Sequence, residues 1–141
     1  MNKNLPLSNI VVLDLTNVLS GPFATQILSD LGAEIIKVEK PHGDDSRKFG
    51  PFIKKRSSYF ISLNWGKKCL VVDFNNEEDK KIFKKLLAIS DVIIDNFKPG
   101  TLEKYGFSSS YLKKNFPLLI QTKISGFGET GPLKENPAYD M

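Results

Sequence analysis

The sequence contains only one cysteine and one histidine in 141 residues. A single cysteine excludes an internal disulfide and is typical of a reducing cytosol, so we expect a cytoplasmic protein. Cys69 lies in the apolar stretch "KCLVVDF", which favours a small buried apolar side chain over a reactive thiol. His42 has no histidine or cysteine near it in the sequence, and no metal site is therefore predicted.

Long apolar runs are also absent. No stretch approaches the roughly 18 apolar residues of a membrane span, and the opening "MNKNLPLSN" lacks the apolar core of a secretory signal. We therefore expect a soluble protein with no membrane partner. The formal net charge is only +4, although positive residues concentrate between positions 37 and 68. Because basic and aromatic residues do not interleave as in a nucleic-acid-binding module, no nucleic-acid partner is predicted.

What the sequence does contain is a regular alternation of apolar runs and amphipathic segments. Continuous apolar runs are typical of strands covered on both faces of a parallel sheet. The predicted strands are Ile10–Leu15, Glu34–Glu39, Tyr59–Asn64, Cys69–Phe74, Asp91–Phe97 and Leu118–Ile124. Strands that alternate with helices predict an α/β fold, Rossmann-like, with a mostly parallel sheet and flanking helices.

The helices carry recognisable start and stop signals. Ser20 is a candidate cap for a helix beginning near Pro22, and Gly32 is placed to end it. Its predicted buried face comprises Phe23, Ala24, Ile27, Leu28 and Leu31. Asn75 or Asn76 is expected to cap the next helix, whose predicted apolar face is Ile82, Phe83, Leu86, Leu87 and Ile89. Two short helices are predicted in "KPGTLEKYGF" and "SSSYLKKNFP".

The first strand–turn–helix unit contains neither GxGxxG nor GxxxxGK[ST], the glycine-rich loops that bind nucleotide phosphates. Ligands of such sheets still bind beyond the carboxyl ends of the strands. Those ends carry "TNVLSGP", "EKPHGDD", "NFKPG" and "SGFGETGP". We therefore expect these segments to converge on one side of the domain.

Four stretches in register carry a more specific signal: "VLDLTNVLSGPFATQILSDLGAEIIKVEKPHGDDSR", "YFISLNWGKKCLVVDF", "SDVIIDNFKPGTLEKYGF" and "ISGFGETGP…PAYDM". Together they resemble the N-terminal part of family III CoA-transferases, the CaiB/BaiF group that includes formyl-CoA transferase and α-methylacyl-CoA racemase. The resemblance implies one Rossmann-like CoA-binding domain over residues 1–141. It also implies a Gly/Pro-rich tail, 125–141, leading to a part that is missing here, since family members are longer.

The resemblance also implies site residues. Coenzyme A, carried as an acyl-CoA, would contact Val18, Lys40, Val72, Asn96, Phe97 and Lys104. The acyl side would meet Asn17, Leu19, Phe49, Tyr59, Tyr139 and Asp140. Core packing is an equally good reading of Phe97, and Tyr59 can be a plain strand aromatic. Asn17 and Leu19 differ from the residues of formyl-CoA transferase, so oxalate and formate are not implied as substrates.

The chemistry implied by the family is transfer of CoA from an acyl-CoA to a carboxylic acid through an aspartate nucleophile. That aspartate is expected beyond Met141, so no catalytic residue is predicted within the chain. Tyr139 replaces the histidine of the racemases and is a poor base at neutral pH, which favours a transferase. An acyl-CoA racemase fragment and a catalytically silent CoA-binding domain stay open. Full-length relatives are expected to form interlocked homodimers, and a separately encoded C-terminal half is a further possible partner.

Overall fold

The computed structural model describes residues 5–134, 136 and 138. Its centre is a parallel sheet of five strands in the order β5-β2-β1-β6-β7. The strands are β1 (Val11–Asp14), β2 (Glu34–Glu39), β5 (Lys68–Val71), β6 (Val92–Asp95) and β7 (Ile120–Lys123). A small antiparallel hairpin is formed by β3 (Phe52–Ile53) and β4 (Arg56–Ser57). The predicted α/β class with a mostly parallel sheet is confirmed.

The helices connect these strands. They are α1 (Ser20–Asp30), α2 (Ser58–Asn64), α3 (Glu77–Ile89), α4 (Thr101–Lys104) and α5 (Ser109–Asn115), with a 3-10 turn at Asp45–Lys48. Asn76 caps α3 by accepting from the N–H groups of Glu78 and Asp79, as predicted. Among the described residues, no helix has the length and apolar character needed to cross a membrane.

Alternate residues of the strands belong to two separate hydrophobic cores, because successive side chains of a strand point to opposite faces of the sheet. On one face, Leu13 and Ile93 pack with Phe83 of α3, within a cluster that also includes Phe107 and Leu112. On the other face, Val12 and Ile35 pack with Ile94 against the α1 side. The central strands β1, β2 and β6 are therefore covered on both faces, as continuous apolar strands predict, whereas the edge strands β5 and β7 are largely exposed.

The segment Tyr59–Asn64 is a helix, and the predicted strand is wrong. Ser57 begins the helix by accepting a hydrogen bond from the Phe60 N–H at 3.0 Å. Phe60 and Leu63, three residues apart, then face inward together and are both buried. This spacing belongs to a helix rather than to a strand, where alternate residues share a face.

The predicted inner face of α1 is also largely wrong. Phe23, Ile27 and Leu31 are exposed, and the buried helix residues are Gly21, Pro22, Thr25 and Gln26. The reason is that this helix covers buried polar groups at the end of β1 (described below), so small and hydroxyl-bearing side chains face inward. Ser20 does not cap the helix; it is the first helical residue, after Leu19.

Cys69 is exposed rather than buried. It lies on β5, which is an edge strand of the sheet, and every residue of that strand is exposed. Neighbouring atoms still remove part of the water around the sulfur, which raises the pKa of the thiol, and the nearby carboxylate of Glu39 raises that pKa further. The thiol is therefore kept protonated, which opposes a nucleophilic role.

Candidate functional site

The carboxyl ends of β1, β6 and β7 surround one pocket of about 500 Å³. The loop after β1 contributes Asn17 to Ser20, the loop after β6 contributes Asn96 to Pro99, and the segment after β7 contributes Ile124 to Gly126. Lys134, Asn136 and Ala138 close the pocket. Three of the four strand-end segments therefore meet here, as expected for a parallel α/β sheet.

Asn96 connects two walls of this pocket. Its side-chain oxygen accepts from the N–H of Asn17 at 2.9 Å, and its side-chain amide donates to the carbonyl of Asn17, also at 2.9 Å. One side chain thus satisfies both main-chain polar groups of a residue 79 positions away. The end of β6 consequently fixes the position of the loop after β1.

A buried ion pair supports the same loop from the α1 side. Asp14 and Lys67 lie 3.2 Å apart, and both side chains are fully buried. Asp14 Oδ1 accepts from the N–H of Thr16 at 2.9 Å, and Oδ2 accepts from the hydroxyl of Thr25 at 2.6 Å. Lys67 also donates to the carbonyl of Pro22 at 2.9 Å. Burial lowers the pKa of Lys67, and Asp14 opposes that shift.

A second buried pair lies next to the first, because Lys37 of β2 is the register partner of Asp14 of β1, and it involves the fourth strand-end segment. Lys37 Nζ is 3.0 Å from Asp44 Oδ2, and both side chains are fully buried. Burial raises the pKa of Asp44, but Lys37 and the hydrogen bonds from Ser46 outweigh it and bring the pKa below its ordinary value. Asp44 is therefore charged at neutral pH, and it also accepts from the N–H of Val18 at 3.2 Å.

Val18 has a left-handed backbone conformation, with φ +68°. A β-branched residue avoids this region, and holding it there costs about 1–3 kcal/mol. Such strain persists only where the surroundings impose it, and it concentrates at functional sites. The strained residue lies in the pocket wall between Asn17 and Leu19.

Glu39 ends β2 and fixes the segment that carries Asp44. Arg47 binds its carboxylate through two hydrogen bonds of 2.6 and 2.7 Å, and the Asp44 N–H donates to it at 2.9 Å. Burial raises the pKa of Glu39, but Arg47 and the Asp44 N–H together lower it below its ordinary value. The Arg47 guanidinium also lies 3.7 Å from the ring centre of Phe60, which ties α2 to the same segment.

The structure brings together five of the residues implied by the family resemblance. The side chains or main chain of Asn17, Val18, Leu19, Asn96 and Phe97 all line the pocket. Phe97 also packs against the larger core cluster. Both readings of Phe97, core packing and ligand contact, are therefore compatible with its position.

Of the remaining implied residues, those that the structure describes do not line this pocket. Lys40 is exposed and forms an ion pair of 2.9 Å with Asp45, Lys104 is exposed on α4, and Val72 is buried in the larger core. Phe49 and Tyr59 pack edge to face, with ring centres 5.6 Å apart. Tyr139 and Asp140 lie outside the described residues.

The resemblance did not provide Lys98, Pro99, Ser125, Gly126 or Lys134, which line the pocket. Lys98 and Lys134 are its cations. The available signal was their place directly after β6 and in the segment after β7, since both are strand-end segments. Within the described part of the chain, no three His, Cys, Asp or Glu side chains are grouped so that they could hold a metal ion.

A family model, curated sequences and solved structures all match this chain to the same family. The family model CoA-transferase family III matches residues 7–141. The chain is 47% identical to the acetyl-CoA:oxalate CoA-transferase of Acetobacter aceti over 136 residues, 96% of this chain and 35% of that protein. It is 44% identical to the human succinyl-CoA:glutarate CoA-transferase, covering 99% of this chain and 32% of that protein.

Among solved structures, a CAIB/BAIF family protein from Brucella suis superposes with a TM-score of 0.92 at 43% identity. That superposition covers 98% of this chain and 38% of the other protein. The chain thus spans about a third of the length of the curated relatives it matches.

Proposed function

The chain belongs to CoA-transferase family III, and from this we propose that it binds the CoA portion of an acyl-CoA in the strand-end pocket. In this proposal the thioester donates its CoA to a carboxylic acid. The observation that carries the proposal is the pocket itself, whose walls are fixed by the two hydrogen bonds between Asn17 and Asn96. A carrier that must be held in one orientation needs walls of this kind.

The lining suits the parts of a CoA thioester. Leu19, Phe97 and Ile124 provide apolar surface for a pantetheine arm, while Lys98 and Lys134 provide positive charge for phosphate groups. The volume of about 500 Å³ lies within the range of about 300–1,000 Å³ that small-molecule sites occupy. No glycine-rich phosphate loop is needed for such a carrier, because side-chain cations can neutralise its phosphates.

Lys40 and Lys104 are proposed contacts for the adenosine phosphate end. Both are exposed, and each would act as a point charge without the bidentate geometry of arginine. Val72, which is buried in the structure, is proposed as an apolar contact of the same ligand. On the acyl side, the proposed contacts are Asn17 and Leu19 in the pocket and the Phe49–Tyr59 ring pair beyond it. Tyr139 and Asp140, outside the described residues, complete that proposed set.

The attacking carboxylate is proposed to come from outside the described residues. The fully buried Asp14 and Asp44 are committed to lysines and main-chain N–H groups, and Asp95 accepts from the Phe97 N–H at 3.0 Å. None of these carboxylates lines the pocket. A chain lacking the nucleophile would bind CoA without exchanging thioesters, and this outcome also describes the alternative of a silent CoA-binding domain.

We further propose a cytoplasmic protein that forms one CoA-binding domain and associates with a second copy. Phe23 and Ile27 of α1 and Trp65 just after α2 are among the exposed apolar side chains that could make such contact. Light scattering of the purified chain tests this point. A strictly monomeric chain would instead favour a separately encoded partner.

The main proposal is tested by calorimetric titration with CoA and with dephospho-CoA, which lacks the 3′-phosphate. CoA is expected to bind, and dephospho-CoA to bind more weakly. The same pair of titrations on K40M, K104M, K98M and K134M identifies the lysine that meets the 3′-phosphate. Only substitution of that lysine is expected to abolish the difference in affinity between CoA and dephospho-CoA, because one phosphate contact contributes about 1.5–3 kcal/mol.

Lys113 on α5 serves as the matched control, since it is an exposed lysine that does not line the pocket. K113M is expected to keep the full difference in affinity between CoA and dephospho-CoA. If the wild-type chain binds neither ligand at millimolar concentration, the proposed function is wrong. If the variants of all four candidate lysines keep the difference in affinity between CoA and dephospho-CoA, CoA binds elsewhere.

A further inference from the structure

We propose that Lys37 and Asp44 are positioning residues that hold the strained pocket loop Thr16–Val18 in the conformation that binds CoA. This inference rests on the proposed function, because it assigns the pair a role in that same pocket. Neither residue lines the pocket, so both would act through the main chain of the loop.

The geometry of the pair points to the loop rather than to the core. Lys37 Nζ donates to the carbonyl of Thr16 at 2.7 Å, and Asp44 Oδ1 accepts from the N–H of Val18 at 3.2 Å. These two main-chain atoms lie on either side of Asn17. The pair therefore holds the residue before and the residue after Asn17, while Asn96 holds Asn17 itself.

Burying the charged Lys37 side chain costs free energy, which indicates that this residue has a specific structural role. Lys37 occupies the interior of β2, where its strand neighbours Ile36 and Val38 are core residues. A buried ion pair adds little stability relative to apolar side chains of similar volume. Lys37 and Asp44 both contact the main chain of the same three-residue loop. A role in fixing the conformation of this loop therefore explains the buried pair better than a contribution to stability.

Val18 provides the link between the pair and the pocket. Its φ of +68° is unfavourable for a valine but acceptable for glycine, which takes this conformation without a steric penalty. With valine, the loop needs the pair to hold it. With glycine at this position, the loop can take the same conformation unaided.

The test is a cycle of variants measured by CoA titration. The double variant K37M/D44N removes both charges together, which avoids leaving one charge buried and unpaired, and the amide introduced by D44N keeps an acceptor oxygen. We expect about tenfold weaker CoA binding, the loss of one charge-assisted hydrogen bond. In the V18G background, the same double substitution is expected to change CoA affinity by less than about twofold.

A merely structural role predicts a different pattern. The pair would then cost the same in both backgrounds, and that equality would overturn the proposal. The control pair is Lys68 and Glu34, an exposed ion pair of 2.7 Å between β5 and β2. K68M/E34Q removes the same charges from the same sheet and is expected to leave CoA affinity unchanged.

Hydrogen exchange gives a readout that does not depend on CoA. In K37M/D44N the amide of Val18 should exchange about tenfold faster, because a neutral amide oxygen is a weaker acceptor than a carboxylate. The amides of Leu13 and Ile36 in the sheet should keep their rates. Unchanged exchange at Val18 overturns the positioning role. A wild-type chain that binds no CoA overturns the proposed function instead, and the exchange rates then decide separately whether the pair holds the loop.

Discussion

The side chain of Asn96 satisfies both main-chain polar groups of Asn17, through two hydrogen bonds of 2.9 Å. This contact joins the end of β6 to the loop after β1. The loop cannot shift relative to β6 without losing both bonds. Two walls of the pocket therefore move as one unit, which is the arrangement that a site for a long carrier requires.

The first prediction concerns this contact. Replacing Asn96 by the similarly sized leucine leaves the N–H and the carbonyl of Asn17 without partners. We expect N96L to lower the free energy of unfolding by about 2 kcal/mol, since each unmade bond costs about 1 kcal/mol or more. Urea unfolding measures this loss, and CoA titration should show weakened binding in the same variant.

Asn115 provides the control for that substitution. Its side-chain amide also donates to a main-chain carbonyl, that of Tyr111 at 2.8 Å, but at an exposed position of α5. N115L is expected to change stability by less than about 0.5 kcal/mol, because water can replace the lost partner. Equal losses of stability in N96L and N115L would show that the Asn17–Asn96 contact stabilises the chain no more than an exposed side-chain hydrogen bond does.

The central strands β1, β2 and β6 could be predicted because each contains a run of apolar residues. Val92–Asp95 and Ile120–Lys123 lie inside the predicted strands, and β2 has the predicted bounds Glu34–Glu39. The asparagine cap of α3 is equally local, since Asn76 precedes three acidic residues of the first turn. The segment Tyr59–Asn64 was mispredicted because a short, largely apolar run fits either period, and only the packing of Phe60 and Leu63 decides between them.

The second prediction tests the helical start of that segment. Ser57 is buried and caps α2. We expect S57A to destabilise the chain by about 1 kcal/mol, the usual cost of removing such a cap. Ser62, an exposed serine within α2, serves as control, and S62A should lie within about 0.5 kcal/mol of the wild type. Circular dichroism with thermal unfolding measures both. Equal stability of S57A and the wild type would contradict the capping role.

The third prediction concerns pH and Asp95. Burial raises the pKa of this carboxyl above its ordinary value of 3.8, and Glu103 and Glu129 add to the rise against the Phe97 N–H and Lys123. The folded state therefore holds the proton more tightly than the unfolded state. Stability contributed by the protonated form is lost as pH rises above 3.8 and through the folded pKa.

D95N keeps the oxygen that accepts from the Phe97 N–H and removes the charge. We expect its urea midpoint to exceed that of the wild type at pH 7 and to match it below pH 3.8, where Asp95 is protonated in both states. D91N changes an exposed aspartate that also accepts a main-chain N–H, from Val11 at 2.8 Å, and should give no gain at pH 7. A D95N chain that is less stable than the wild type at pH 7 would contradict the assignment.

The orientation of α1 and the support of the pocket loop could not be predicted from the sequence. Periodicity places Phe23 and Ile27 inside, because it assumes that a helix packs its apolar side chains on an apolar surface. Here the helix covers the Asp14–Lys67 pair, whose members are 53 residues apart. Lys37 likewise lies between the apolar residues Ile36 and Val38 of β2, and its partner Asp44 follows after the end of that strand. Pairs of this kind depend on tertiary contacts, which no local pattern encodes.

The last prediction concerns the close approach of α1 to the pocket loop. A β-carbon added at Gly21 would come within 2.2 Å of the Thr16 side chain, far inside any tolerated contact, and Thr16 is held by Asp14 and Lys37. These contacts restrict the movement of Thr16 away from an added β-carbon. We therefore expect G21A to destabilise the chain by about 1–3 kcal/mol or more and to weaken CoA binding. S20A, at the adjacent exposed position of the same helix, should stay within about 0.5 kcal/mol of the wild type. Wild-type stability and CoA affinity in G21A would show that the turn has room to relax, and the rigid pocket wall inferred from it would then be wrong.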